Sequence, residues 1–192
     1  MNPFENISPK NKEKLLRSLE ANTHVFKSGM NILGTSRNEN LIAIIVYGYI
    51  QIVKTDYNGN ITIIEKLEDN AIFGNMISNI SNVEYQVVTK EETKIILIDY
   101  DRLLNNLRQN SSYYQFIQNI LKIISKKIHD QNQRIEILTE KTIRNKLLKY
   151  FQVIRPTNLS KIIYLPFTYT ELAEYLSVDR SALMREIKNL RD

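Results

Sequence analysis

At 192 residues, 43% of them hydrophobic and 24% charged, the chain has the apolar content for one or two small domains with buried cores. The net charge of +5 and pI near 9.2 suit an anionic partner without identifying one, although Lys and Arg outnumber Asp and Glu over residues 141–192. The absence of cysteine excludes disulfides, thiolate zinc sites and cysteine-ligated iron–sulfur clusters, and two histidines, His24 and His129, are too few for a multi-histidine metal centre.

The first residues, Met1-Asn2-Pro3-Phe4-Glu5, carry no signal-peptide pattern, and no later apolar run is long enough for a membrane span. A cytoplasmic protein with no membrane partner is expected. Residues 9–20 predict a short helix that turns Leu15, Leu16 and Leu19 inward. From about 23 to 98 the pattern changes to short apolar runs. Val25-Phe26, Ile32-Leu33, Leu41 to Val46, Tyr49 to Val53, Ile61 to Ile64, Tyr85 to Val88 and Ile95 to Ile98 are the predicted strands. Turn residues separate them, and Asn58-Gly59 between two apolar runs is a hairpin signal. Many short strands at close spacing indicate a barrel or sandwich.

Residues 99–107 read as a short helix, and residues 111–138 as a long one without Gly or Pro. Tyr114, Leu121, Ile128 and Ile135 fall on one line of this helix, and Ile117, Ile124, Gln131 and Leu138 on a second. Alternating steps of three and four residues form the seam of a two-stranded coiled coil, which predicts a parallel homodimer with Gln131 fixing the register. A single amphipathic helix packed on its own domain is the other reading. Further apolar residues at Phe116, Ile120, Ile123 and Ile137 allow both, one face packing inward and another meeting a partner. His129, beside the seam, is expected to face solvent, and His24 stands alone near a strand start, so no haem is expected.

A helix over about 140–154 follows, with Ile143, Leu147, Leu148 and Phe151 inward. Arg155-Pro156-Thr157-Asn158 ends it, Lys161 to Leu165 is a strand candidate, and the domain boundary falls near 139. Residues 166–191 then read as helix, tight turn, helix. The first opens with Thr170-Glu171 and buries Leu172, Ala173 and Leu176, and Ser177-Val178 makes the corner. Asp179 is placed to cap the second helix, whose inward stripe is Leu183, Ile187 and Leu190. The opposite face carries Arg180, Ser181, Arg185 and Lys188. Such a helix fits a DNA major groove, where Arg reads guanine edges; a two-helix hairpin with a solvated basic face has the same local spacing.

The order Leu165-Pro166, Thr170-Glu171-Leu172-Ala173, Tyr175-Leu176, Val178-Asp179-Arg180-Ser181 and Arg185-Glu186-Ile187 resembles the helix-turn-helix of the Crp/Fnr family of bacterial transcription regulators. Arg144, Lys146-Leu147-Leu148 and Tyr150-Phe151 are similar to that family's first DNA-domain helix. The resemblance implies an α+β chain. It has an N-terminal cyclic-nucleotide-binding-like β-roll, of the double-stranded β-helix or jelly-roll type, over 1–110. A long dimerisation helix over 111–138 and a winged-type helix-turn-helix domain over 139–192 follow. The family's C-terminal wing is expected to be missing, since the chain stops at Asp192. Lys27 with Gly29, Val46-Tyr47-Gly48-Tyr49, Asn58-Gly59 and Phe73-Gly74 stand where such a roll places its turns.

By the same resemblance, Arg180 and Arg185 read bases of double-stranded DNA, Ser181 adds a polar contact, Thr170 and Lys188 hold phosphates, and Asp179 opens the reading helix. Two departures stand out: Ser177 replaces the turn glycine, and Ser181 replaces a frequent Glu. RNA polymerase is a further partner that the resemblance allows. In the sensor domain, nucleotide-binding members use Glu after Phe-Gly for the ribose hydroxyl and an Arg for the cyclic phosphate. Here Asn75 follows Phe73-Gly74, and no Arg lies between Arg37 and Arg102; Glu84-Tyr85-Gln86 occupies the expected place. Control by cAMP in that manner is therefore not expected, because a buried phosphate would face uncompensated charge. Phe73, Gly74, Asn75, Met76 and Tyr85 are the candidate lining for some other small-molecule effector, or else filled core.

The expected function is a homodimeric DNA-binding regulator without metal, haem or cluster. The alternative is a ligand-binding or interaction protein with a degenerate or truncated DNA-binding end. No nucleophile–base pair or phosphate-cradling loop points to an enzyme.

Overall fold

The computed structural model describes residues 1–32, 40–59, 61–74, 85–105, 110–155, 165 and 167–191. The chain forms two compact units, one of Met1–Asn60 with Ile64–Lys126 and one of Ile61–Ile63 with Lys127–Asp192.

In the first unit, α1 (Pro9–Ser18) starts where the Ser8 hydroxyl accepts the Asn11 amide, and it buries Leu15. The strands are β1 (Asn22–Phe26), β2 (Leu41–Tyr47), β3 (Ile50–Thr55), β4 (Ile61–Leu67), β5 (Ile72–Phe73), β6 (Tyr85–Thr89) and β7 (Thr93–Asp99). They pair as two sheets, β1-β7-β2-β5 and β4-β3-β6. Strand neighbours that are distant in sequence give the roll. β2 pairs with β7 from Leu41↔Asp99 onward and with β5 through Ala43↔Phe73 and Ile44↔Ile72. The run Leu41-Ile42-Ala43-Ile44-Ile45-Val46 shows no polar alternation because both faces of its sheet are covered. Ile42 and Ile44 enter a core with Ile98, Leu103, Phe116 and Ile120, while Ala43 and Ile45 enter another with Ile50, Ile52 and Ile95. The predicted strands recur with small shifts in their ends, and β5 is an addition. Of Ile32-Leu33, Ile32 is buried beside the Asn31↔Val88 bridge, and Leu33 lies outside the described residues. The Asn58-Gly59 turn does join two paired strands, with the Gly59 amide donating to Asp56 O at 3.0 Å.

Asp99 caps α2 (Tyr100–Leu104), shorter than expected, with residues 106–109 outside the described set. The long helix α3 spans Ser111–Leu138. Tyr113, Phe116 and Ile120 pack into the first unit, and Phe4 stacks on Phe116 at 5.1 Å between ring centres. Asn119, 3% exposed, donates Nδ2 to the carbonyls of Pro3 at 3.1 Å and Glu5 at 2.9 Å, which pins the N-terminal segment to the helix. Truncating it leaves those acceptors without their donor. Asn119→Ala is expected to destabilise this unit by about 1–3 kcal/mol, read as a lower midpoint in urea; an unchanged midpoint refutes the pin. Among the described residues, no helix is long and apolar enough to cross a membrane.

In the second unit, α4 (Ile143–Ile154) starts at a Thr142 cap, its hydroxyl accepting the Asn145 amide at 3.1 Å. Its inward residues are Leu147 and Tyr150, flanked by Ile143 and Phe151. The expectation for Leu148 is corrected: it is 43% exposed. Leu147 and Leu148 are about 100° apart on a helix, so only one can enter a narrow core. Tyr150 takes the place three residues on. The strand candidate Lys161 to Leu165 lies outside the described residues except for Leu165, which is half-buried. α5 (Tyr169–Leu176) and α6 (Arg180–Arg191) complete this unit.

Candidate nucleic-acid interface

The helix pair α5–α6 is held by one apolar core: Leu172, Ala173 and Leu176 from α5, Leu183 from α6, and Leu147 and Tyr150 from α4 are all buried. α5 begins at Tyr169, one residue before Thr170, with Thr168 as its cap. Thr168 accepts the Glu171 amide at 3.3 Å, while the Glu171 carboxylate accepts the Thr168 amide at 2.8 Å, a reciprocal cap legible as Thr-x-x-Glu. The helix ends at Ser177, whose φ of 52° and ψ of 54° place it in the left-handed region. Its amide donates to Glu174 O and that of Val178 to Ala173 O, closing the corner without glycine. Asp179 then starts α6 by accepting the Ala182 amide at 2.8 Å.

Leu183 is buried and Ile187 and Leu190 are half-buried against this core, so α6 turns its other side outward. Arg180, Ser181, Arg185 and Lys188 are all exposed there. Met184, 38% exposed, lies one turn from both Arg180 and Lys188 and belongs to the same face. The sequence pattern did not single it out; its step of four from Arg180 was the available signal. Thr170 is exposed on α5, beside Tyr169. Among the described residues, Arg180, Arg185 and Lys188 make no ion pair. The acid on α6, Glu186, lies toward α4, where its carboxylate meets Arg144 at 3.6 Å. The outward face is thus cationic and uncompensated, with hydroxyl, thioether and guanidinium groups available to a groove.

Behind it, the rings of Tyr150, Phe167 and Tyr175 cluster, with Phe167 and Tyr175 centres 4.9 Å apart. Burial pushes the Tyr150 and Tyr175 phenols above their ordinary range, so both stay neutral; Arg134 beside Tyr175 partly opposes its shift. The last carbonyls of α5 receive side-chain donors. Lys146 Nζ donates to Leu176 O at 3.2 Å and Arg134 Nη2 to Tyr175 O at 3.4 Å, with the Arg134 guanidinium 4.5 Å from the Tyr175 ring centre.

The long helix presents Tyr114, Leu121, Ile128 and Ile135 outward, each more than half exposed, and Gln131 is also exposed. Ile117, Ile124 and Leu138 are half-buried, the first two against the first unit's core. Of the effector candidates, Phe73 is buried in the core between the sheets and Tyr85 packs half-buried against that core, so the structure brings these two together. Gly74 is buried at φ 145°, and Asn75 and Met76 lie outside the described residues. An open cleft of about 400 Å³ lies elsewhere in the first unit, bordered by Met1, Leu67, Ala71 and Ile123 among others. His24 and His129 are exposed, and among the described residues no group of His, Asp and Glu could hold a metal ion.

No protein-family model and no curated protein sequence matches this chain significantly. Solved structures do. A mutant of CooA from Carboxydothermus hydrogenoformans superposes with a TM-score of 0.76 at 16% identity, over 100% of this chain and 84% of that one. A cyclic nucleotide-binding domain containing protein from Listeria monocytogenes EGD-e gives 0.67 at 17% identity, over 93% of this chain and 89% of the other. The Catabolite Activator Protein of Thermus thermophilus gives 0.55 at 15%, over 98% and 86%. This chain has the fold of these structures: an α+β architecture in which a cyclic-nucleotide-binding-type β-roll is followed by a C-terminal helical part.

Proposed function

We propose that the chain is a DNA-binding transcription regulator of the Crp/Fnr type, a homodimer that reads a near-palindromic operator in the cytoplasm. One observation carries this reading. The outer face of α6 gathers Arg180, Ser181, Met184, Arg185 and Lys188, exposed and unpaired, on a helix whose back is locked into a core to which α3, α4 and α5 also contribute. In a dimer joined through α3, two such faces meet successive major grooves about 34 Å apart. Arg180 and Arg185 read base edges, Met184 offers an apolar contact to a thymine methyl group, and Lys188 and Thr170 hold phosphates. RNA polymerase is the onward partner of such a regulator. No haem, metal or cluster enters the mechanism, and neither does catalysis.

An effector acts only by binding one pose of the DNA-reading units better than another. Asn75 in place of the ribose-binding Glu, and the absence of Arg from position 38 to position 101, argue against control by cAMP. In a thermal-shift assay, cAMP is expected to leave the melting temperature unchanged; a clear rise refutes this part of the reading.

The test of DNA recognition is fluorescence anisotropy against a library of palindromic duplexes at several salt concentrations. Arg180→Ala is expected to cost about 1–3 kcal/mol on the selected operator and to relax preference at one base pair. Lys188→Ala is expected to weaken binding to all duplexes alike and to reduce the salt slope by about 0.9. Equal loss on operator and random DNA for Arg180→Ala would overturn its base-reading role. A wild-type chain retained on no duplex at low salt points instead to an interaction protein.

A further inference from the structure

The carboxyl end of α5 carries a feature that the DNA-reading face does not require. The last carbonyls of a helix lack intrahelical donors and carry the negative end of its dipole. Here cations from two other helices meet them: Lys146 of α4 at Leu176 O, 3.2 Å, and Arg134 of α3 at Tyr175 O, 3.4 Å. The Arg134 guanidinium also lies 4.5 Å from the Tyr175 ring centre and donates to Ile63 O at 2.8 Å, all within the second unit. The next residue is Ser177 at φ 52°, where glycine would sit without strain. Charged side chains from outside the helix pair thus support a corner that its own sequence leaves strained.

From this geometry we infer that Arg134 is a positioning residue for DNA recognition: it fastens the helix-turn-helix corner to the long helix, so that the pose of α6 follows α3. The inference rests on the DNA-binding reading above. Arg134 is half-buried, and its guanidinium is engaged by two carbonyls and an aromatic face. A direct phosphate contact would require it to give these up. Lys is a poor substitute, because a compact ammonium has no plane to lay on the ring while its nitrogen donates to the two carbonyls. Movement of the long helix at residue 134 reaches Tyr175 and, two residues on, the corner at Ser177 that sets where α6 begins.

The experiment compares wild type, Arg134→Gln, Tyr175→Leu and the double variant for binding to operator and to random duplex across a salt series, with unfolding curves alongside. Arg134→Gln is expected to lose about tenfold on the operator, within the usual range of coupling between sites. Its affinity for random duplex and its salt slope are expected to stay at wild-type values. Tyr175→Leu removes the ring but keeps the carbonyl; its loss is expected to be less than additive with that of Arg134→Gln. Wild-type operator affinity in Arg134→Gln overturns the inference. Equal loss on both duplexes with a shallower slope also overturns it, because that marks a phosphate contact. If Arg134→Gln fails to fold, Arg134→Lys decides: a loss on the operator alone supports the fastening, and full affinity refutes it. A wild-type chain that binds no duplex sinks the DNA reading and this inference together, whereas a binding wild type with unaffected variants sinks only the fastening.

Discussion

Replacing Leu121 and Ile128 together by Asp is expected to leave a folded monomer whose operator affinity is at least a hundredfold lower. Both side chains are exposed in the protomer, at 58% and 53%, so the substitutions remove no core contact. They fall on the line Tyr114, Leu121, Ile128, Ile135, which repeats every seven residues along a helix whose opposite side is already packed. An apolar line left open at that repeat is what the seam of the proposed two-stranded coiled coil would need. Gln118, Ser125 and Asn132 flank it, all exposed and uncharged, so no like charges would meet across the two-fold of the proposed dimer. Carboxylates at facing positions reverse this, burying like charges at close range. The loss on DNA follows from linkage. Two reading helices on one particle bind with an effective concentration that gains roughly 10²–10⁴ over either alone. Sedimentation and anisotropy on the same samples check both halves. A variant that remains dimeric removes the seam from the account; a monomer that keeps full operator affinity removes the need for a pair.

Gly74→Ala is expected to destabilise the β-roll strongly. Gly74 adopts φ 145°, and a Cβ there would stand 2.1 Å from Leu41 O and 3.1 Å from Leu41 C. Those atoms belong to β2, where Leu41 pairs with Asp99 of β7. The preceding residues, Ile72 and Phe73, are fixed on β2 opposite Ile44 and Ala43. Neither side can withdraw without breaking strand pairing, so the cost is on the order of 3 kcal/mol. That lowers the melting temperature by roughly 10 °C for a chain of this size. Gly59→Ala is the control. Gly59 also has a positive φ, at 82°, but nothing lies within 4 Å of its would-be Cβ, so only the local backbone term of about 1 kcal/mol applies. Equal melting temperatures for the two variants would refute the close approach at Gly74.

The amino-acid sequence by itself determined the elements whose periodicity or caps are strong. The long helix runs over Ser111–Leu138 as its unbroken heptads indicate, because 28 residues without Gly or Pro leave no competing local structure. Asp179 caps α6, and the cationic face of that helix lies outward, because an apolar stripe at steps of three and four can turn only one way toward a core. Tertiary structure decided what depends on neighbours distant in the chain. Periodicity could not choose between Leu148 and Tyr150 for the core of α4, since both fit an amphipathic pattern and only the position of α5 selects one. It could not show β5, because a two-residue strand exists only through its pairing with β2. Nor could it show that Arg134 lies across Tyr175, or that Asn119 holds the backbone of residues 3 and 5. Those contacts join residues 41 and more than a hundred positions apart, and sequence spacing carries no information about which surfaces folding brings together.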